Sequence, residues 1–534
     1  MRKVIFRAVV MILAIIITWC RPALGESPEV VMRVALSVAV PFEFVLEQDA
    51  KVFPLLPAGS QDDEKEACSG RESEGGKPYI SLSSSKEPFL IKAGNVPREV
   101  VLCYPSGGAV SFLGGLRIVP VDHGASAFQI GDRHYPGVLE ISCGVSRTGS
   151  YEIIAVNLVD LESYTEGVLA GEVYPSWAPE ALKAQAVAAR TYALRRKTES
   201  ESRNRVYDVD DTVLSQVYLG KNRVEAFRDA VSETRGEVLV YEGIPIKAHY
   251  FASGGGTTEG DEEVWLGGSN EPYLTAREDF DRMSPHYRWK EPFVIKGSDL
   301  LGKLGLKSAD AGWIEPSIRS GDKILAYRFN AGGRTVNLTR EQIRQKLGLQ
   351  SPRFDITIRD GEGMEKTLKS RESLSSSTVL IFDGVGKGHG VGLSQWGAQG
   401  MATMLARDGA PLYTYVDILS HYYPGAELVD NYNIPKGLIE LEGLIELALD
   451  KHVESVYEGN VEPAQEDHAE QIYEDDKDHR EAVCEDHTEP VEGDHTKPEY
   501  EEHTEEPVCD GETELMQEDD IEPVYDYRIQ VVPE

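Results

Sequence analysis

The chain reads as an α+β protein: a β-rich N-terminal part, a region of mixed strands and helices, and a disordered acidic C-terminal tail. Three observations predict this. From Pro78 to Leu158, short apolar runs alternate with Gly, Pro and Ser, the punctuation of strands and turns. From Pro179 to Lys197 the apolar period becomes helical. Beyond that helix, strands and helices follow without the strict alternation of a βαβ fold.

Taken in order, Val31 to Val40 reads as a strand, and the polar, Gly-rich stretch 61–77 as a loop. In the helix expected over Pro179–Lys197, Pro179 and Glu180 occupy the first turn and Arg195, Arg196 and Lys197 the last, as the helix dipole favours. Leu182, Ala186, Ala189 and Ala193 share its core face, and their small size allows close packing. Val238 to Phe251 reads as paired strands turning at Glu242 and Gly243. Shorter helices are expected over Arg340–Leu347 and Ala398–Asp408, and a last one over Ile439–Leu449.

The 534 residues are 41% hydrophobic, enough for a sizeable core. The formal net charge of −36 argues against a nucleic-acid partner, which would need a basic face. Most of that charge is in the tail: from Lys451 to Glu534 there are 30 Asp/Glu and 5 Lys/Arg. There His487, His495 and His503 each open a His-Thr repeat, eight residues apart, in a stretch with too few large apolar residues to order itself. A solvated tail is the expectation, and a metal-collecting His/acidic tail the weaker alternative.

At the N-terminus, Arg2, Lys3 and Arg7 precede the apolar run Ala8–Trp19, and Ala23, Leu24 and Gly25 offer a small-residue cleavage site. The run is short for a membrane span, which needs ~20 apolar residues. Export is the expected fate, with the segment either cleaved or kept as an anchor. The six cysteines include no Cys-x-x-Cys pair, so no zinc ribbon or redox motif is suggested. A disulfide among Cys68, Cys103 and Cys143 remains open.

Five stretches could carry chemistry. Glu172 lies between Gly171 and Pro175, apparently in a loop just ahead of the long helix, where burial against Tyr174 or Trp177 would raise its pKa as a general acid requires. Lys183 and Arg190, seven residues apart on that helix, share a face and could hold substrate oxygens. Asp208, Asp210 and Asp211 could bind a cation, although such a run is more often a polar turn. Tyr250 and Ser253 lead into Gly254, Gly255 and Gly256, where the backbone can approach a ligand closely. This loop has neither a phosphate-loop nor a Gly-x-Ser-x-Gly pattern. Finally, His389 stands among Gly386, Gly388, Gly390 and Gly392, shortly before Gln395, in a turn that would place it at a surface or cleft.

Together and in this order, these blocks resemble the family of stage II sporulation protein D and the related amidase enhancers. The resemblance runs from Asn157–Pro175 and the Lys183–Tyr192 helix through Tyr207–Gly220, Tyr250–Thr257, Gly333 with Arg334 and Ile343 with Arg344. It continues through His389–Ala398, Met401 with Ala402, and Tyr422–Gly425. It spans residues 134–425, which makes that stretch the expected catalytic domain. Residues 1–25 form the signal or anchor segment, 26–133 the β-rich region, 426–451 a linker with a short helix, and 452–534 the tail.

The resemblance implies a lytic transglycosylase that cleaves peptide-free peptidoglycan glycan to 1,6-anhydro-muramic ends, with the family's catalytic Glu falling on Glu172. Lys183, Arg190, Gln216, Tyr250, Ser253, Gly254, Gly255, His389 and Gln395 are the expected substrate-binding residues. Expected partners are the glycan strands, with a cell-wall amidase and a membrane anchor protein as further candidates. No cofactor is implied. Some relatives hold zinc through cysteines and a histidine in the block matching Asp208–Gln216. Here Asp210, Leu214 and Ser215 stand in that block, so no metal is expected. The alternative is a non-catalytic glycan-binding enhancer of an N-acetylmuramoyl-L-alanine amidase.

Overall fold

The computed structural model describes residues 30–55, 80–121, 126–145, 151–268, 270–306, 312–407 and 409–430. The signal segment, the loop expected over 61–77, the helix expected over Ile439–Leu449 and the acidic tail lie outside them. Among the described residues no helix is long and apolar enough to cross a membrane. Cys103 and Cys143 are free thiols, and Cys68 lies outside the described residues.

The architecture is α+β. The N-terminal part is β-rich, as its punctuation predicts. A seven-stranded sheet runs, in spatial order, through Val209–Asp210, Val31–Ala35, Tyr151–Asp160, Val138–Val145, Gly115–Pro120, Ala50–Pro54 and Ile80–Leu82. A six-stranded sheet is centred on the pairing of Phe42–Leu46 with Phe89–Ala93. Alternate residues of these strands are buried, so Phe44, Ile91, Val100 and Leu102 from one sheet and Leu116, Ile118, Leu139 and Ile141 from the other enter a common core. The boundary expected at residue 133 falls inside the hairpin of Ser126–Ile130 with Arg133–Pro136. The same core takes in Tyr164, Ala189, Ala193 and Tyr218 from beyond it.

Helix α1 (Leu161–Glu172) leaves the longest strand directly, and its N-cap Asp160 accepts a hydrogen bond from the Ser163 amide at 2.9 Å. This stretch was expected to be a loop at Glu172, and instead Glu172 is the last helical residue. The misleading signal is a pair of glycines on one helix face. A Cβ at Gly167 would lie 2.4 Å from the Tyr218 ring, and one at Gly171 would lie 2.3 Å from the Val217 carbonyl. They are glycines because the 217–220 segment lies against the helix there.

Helix α2 (Pro179–Ser202) has Pro at its first turn and runs five residues past its expected end. Its buried Ala184, Ala186, Ala188, Ala189 and Ala193 let it sit close to α1 and to α3 (Glu225–Glu233). A buried ion pair joins α1 to α2. The Arg190 guanidinium is 0% exposed, donates to both Glu162 oxygens at 2.7–3.1 Å, and also reaches the carbonyls of Val231 and Glu237.

From Trp289 to Phe382 the chain builds a separate β core that the sequence reading did not anticipate, apart from its helix α4 (Arg340–Leu347). That helix has its expected bounds, set by a Thr339–Gln342 capping box and a left-handed Gly348. Two four-stranded sheets enclose Leu300, Ile314, Phe329, Ile343, Ile356 and Phe382. The chain leaves at Arg288 and returns at Val385, and these two residues pair. The helix expected over Ala398–Asp408 is instead α5 (Gln395–Ala402), begun early because Ser394 caps the Gly397 amide. Helix α6 (Tyr415–Tyr422) packs Ile418, Leu419 and Tyr422 into a further core with Leu182 of α2, Phe227 of α3 and Ala398 of α5.

The Arg190–Glu162 pair yields a first prediction. Arg190→Met strands a buried carboxylate and should cost about 3–5 kcal/mol in urea denaturation. Adding Glu162→Met should recover part of the loss, and a single-variant cost below about 1 kcal/mol would refute this role.

Candidate active site

Glu172 ends α1 and is half-buried. Three donors from three distant segments converge on its carboxylate. The Val217 amide donates to Oε1 at 2.9 Å, Gln395 Nε2 donates to Oε2 at 3.2 Å, and the Tyr250 hydroxyl supplies a third hydrogen bond. A polar chain lies behind Tyr250. Tyr164 donates its hydroxyl to Gln216 Oε1 at 3.1 Å, and Gln216 Nε2 donates to the Tyr250 oxygen at 3.0 Å. Each hydroxyl and amide in this chain is thereby oriented toward Glu172.

Desolvation pushes the Glu172 carboxyl above its ordinary pKa and outweighs the three hydrogen bonds, each of which favours the ionised form. Burial also lifts the Tyr250 hydroxyl well above its ordinary value, and the Glu172 charge adds to the shift. Tyr250 therefore stays protonated and remains a donor. The result is a carboxyl that holds its proton more tightly than an ordinary glutamate and is held by neutral groups.

Backbone pairing assembles the donors. Tyr250–Phe251 pairs in parallel with Leu393–Ser394, so Tyr250 and Gln395 arrive side by side from positions 145 residues apart. The approach requires glycine at 392: its φ is +80°, and a Cβ would meet the His249 carbonyl at 2.0 Å. On the other side, Gly171 admits the segment whose Val217 amide reaches Glu172.

The remaining expected site residues divide differently. Lys183 pairs with Glu180 at 3.0 Å and Glu233 at 2.7 Å, and lies over the Tyr415 ring. Arg190 is sealed in the ion pair with Glu162. Neither joins the Glu172 cluster, because each has a protein carboxylate as its partner. Ser253 is buried and donates to Asp281 at 2.5 Å, while the amides of Gly254 and Gly255 donate to Asp279 and Asp281. The glycine loop is thus wrapped around protein carboxylates, and these donors face inward. Burial and the neighbouring Asp281 push Asp279 up to about 6.

His389 is half-buried. Its Nδ1 accepts from the Val391 amide at 3.1 Å, and the ring also hydrogen-bonds the Tyr250 backbone. Burial pushes both His389 and His249 down to about 3, so both are neutral and neither serves as an acid at ordinary pH. Their rings meet Trp265 at 5.3 and 4.9 Å.

Two aromatic groups accompany the site. Tyr174, Trp177 and Trp396 stack at 5.1–5.9 Å beside Glu172 and Gln395 in the chain. Tyr192, His249 and Trp265 adjoin Tyr250 and His389. Sequence reasoning missed Tyr164, Tyr192, Val217, Trp265 and Trp396. Val217, adjacent to Gln216, and Trp396, adjacent to Gln395, carried a local hint.

The three aspartates have protein partners. Asp208 binds Arg33 at 2.5 Å, Asp211 holds the Ser37 amide at 3.0 Å, and Asp210 accepts from Ser215 at 2.9 Å. Among the described residues no cluster of His, Cys, Asp and Glu is arranged to hold a metal.

Comparison with known proteins agrees with the order of these blocks. Residues 150–241, which carry α1, α2 and Val217, match the family described as Stage II sporulation protein. Over 306 residues the chain is 33% identical to Stage II sporulation protein D of Bacillus subtilis (strain 168), covering 54% of this chain and 79% of that protein. Identity to the protein of the same name from Bacillus amyloliquefaciens is also 33%, over 54% of this chain and 78% of that one. The Amidase enhancer of Bacillus subtilis (strain 168) is 29% identical, over 49% of this chain and 40% of its own length. The chain belongs to the stage II sporulation protein D family.

Proposed function

We propose that this chain is a peptidoglycan lytic transglycosylase, exported and acting on peptide-free glycan during sporulation, with Glu172 as its single acid–base residue. The observation that carries the reading is the state of Glu172: its pKa is raised by desolvation, and it is held by Val217, Gln395 and Tyr250, none of which is a carboxylate.

A glycosidase with two enzymic carboxylates needs a second acid near the first. A transglycosylase does not, because the substrate brings its own nucleophile. Protonated Glu172 gives its proton to the glycosidic oxygen as the bond to muramic C1 breaks. The resulting carboxylate then takes the proton of the C6 hydroxyl of the same sugar, and O6 bonds to C1. Glu172 ends as it began, and the products are a free 4-hydroxyl and a 1,6-anhydro end. Tyr250 and Gln395 stabilise the carboxylate between the two transfers. The flanking aromatic side chains are suited to the apolar faces of sugar rings.

The similarity to an amidase enhancer supports a second reading, in which the same cleft binds glycan without cutting it and stimulates an amidase.

A first prediction separates these readings. The purified protein and its Glu172→Gln variant are incubated with peptide-free glycan and the products are weighed by mass spectrometry. Anhydro-muramic ends should form with the wild type and fall about 10²–10⁴-fold in the variant. Hydrated ends would mean an activated water, and glycan binding without cleavage by either form would favour the enhancer.

The second prediction concerns stability. The native state holds the Glu172 proton more tightly than the unfolded chain does, so this group's contribution is fully present below the unfolded pKa. It is lost as pH rises through the folded pKa. The thermal midpoint of the wild type should therefore fall relative to that of Glu172→Gln as the pH is raised from the ordinary glutamate value of 4.5. A constant difference above that value would contradict the raised pKa.

A further inference from the structure

A cavity of about 610 Å³, within the range of small-ligand sites, lies between the loop that follows Tyr250 and the β core of residues 289–384. It shares no residue with the Glu172 cluster. One wall is the Thr257–Glu259 stretch, and the opposite wall comes from Phe354, Asp355 and the 383–385 return.

Its charges fall into two classes. Glu259 is already paired with both Lys323 and Arg353, and Arg353 also donates to the carbonyls of Gly254 and Thr257. These residues build the wall and have no free capacity. Three guanidinium groups remain. Among the described residues Arg340 donates to the carbonyls of Ile324 and Phe354 and lies over the Phe354 ring at 5.0 Å, and it forms no ion pair, although the Asp355 and Glu263 charges act on it. Arg277 and Arg288 make no side-chain hydrogen bond or ion pair among the described residues. The Nε atoms of Arg277 and Arg340 are buried and lack an acceptor.

The cavity also has acidic residues, Glu278, Asp355 and Asp383, but all three are exposed, and no ion pair joins them to the guanidinium groups. Burial decides which set matters. A carboxylate in water keeps its hydration, whereas the buried guanidinium Nε of Arg277 has lost water without gaining an acceptor. Arg277, half-buried and unpaired, is the donor most in need of an oxyanion, and a planar guanidinium fork suits carboxylate or phosphate.

We infer that this cavity is a second binding site, for a carboxylate or phosphate oxyanion received by Arg277 and Arg288 with Arg340 behind them. The biological source of the oxyanion rests on the wall-glycan reading above. Two sources fit the shared chemistry: the lactyl carboxylate that muramic acid bears once its stem peptide is gone, and the phosphate of a phosphodiester polymer.

The test is calorimetric titration of the full chain at low ionic strength with N-acetylmuramic acid, inorganic phosphate and the neutral N-acetylglucosamine. At least one anion should bind, with the neutral sugar at least about ten-fold weaker, a difference of about 1.4 kcal/mol. Binding by muramic acid alone assigns the site to the lactyl carboxylate, by phosphate alone to the phosphodiester, and by both to the shared oxyanion. Arg277→Gln and Arg288→Gln should each weaken anion binding about five-fold or more. Arg288 is exposed, so its variant carries the test even if Arg277→Gln unfolds. Absence of anion binding, equal binding of the neutral sugar, or wild-type affinity in folded Arg288→Gln overturns the inference. Arginine-dependent anion binding by a chain that cuts no glycan would sink the transglycosylase reading and leave this site standing.

Discussion

The short parallel pairing of Tyr250–Phe251 with Leu393–Ser394 governs the geometry at Glu172. It has only two residues on each side, but it fixes where both side-chain donors of the carboxylate stand. It forms because Gly392 lets one backbone come into contact with the His249 carbonyl, and bridges such as Ser253 to Lys387 and Glu259 to Val391 extend it. Neutral His389, bonded to Val391 and to the Tyr250 backbone, ties the same two segments. Without this contact Glu172 would keep the Val217 amide and lose both side-chain donors.

Around that contact, the buried polar groups perform two kinds of work. Arg190 with Glu162, and Asp279 and Asp281 with the Ser253 hydroxyl and the Gly254–Gly256 amides, hold elements in register. Their charges and dipoles are consumed by protein partners. The Glu172 cluster differs in being made from a half-buried carboxylate and neutral donors, which leaves the proton free to move. A carboxylate beside Arg190 or Lys183 would be held ionised and could not serve as an acid at neutral pH. The separation of these cations from Glu172 is therefore chemically consistent with the general-acid role.

The β core of residues 289–384 enters between the two halves of the site, leaving at Arg288 and returning at Val385. The glycine-rich return segment and the 253–259 loop are held against it through Arg353, which reaches the Gly254 and Thr257 carbonyls and Glu259. The Tyr250–Phe251 strand and the arginine-lined cavity are thus parts of one continuous loop system.

Much of the plan was legible in residue order. Punctuation marked the N-terminal strands, the alanine period marked α2, and the capping residues marked α4, because each of these signals is local. Glu172, Gln216, Tyr250 and Gln395 were named as site residues from their motif blocks, and the structure brings those four together. Arg190 and Lys183 carried the same kind of signal, yet their partners, Glu162 and Glu233, are far away in sequence or on another helix. The glycines of α1 read as breakers, because a contact with residues 46–53 positions away has no local signature. The β core of 289–384 contains local hairpins that the reading did not name, and it is closed by pairings with no local signature, Phe293–Lys296 with 379–382 and 312–314 with Glu372–Leu374. Residue types and their order were sufficient for the class and the main helices. Which charged groups face the cleft depended on burial and on partners distant in the chain, and those exist only once the chain is folded.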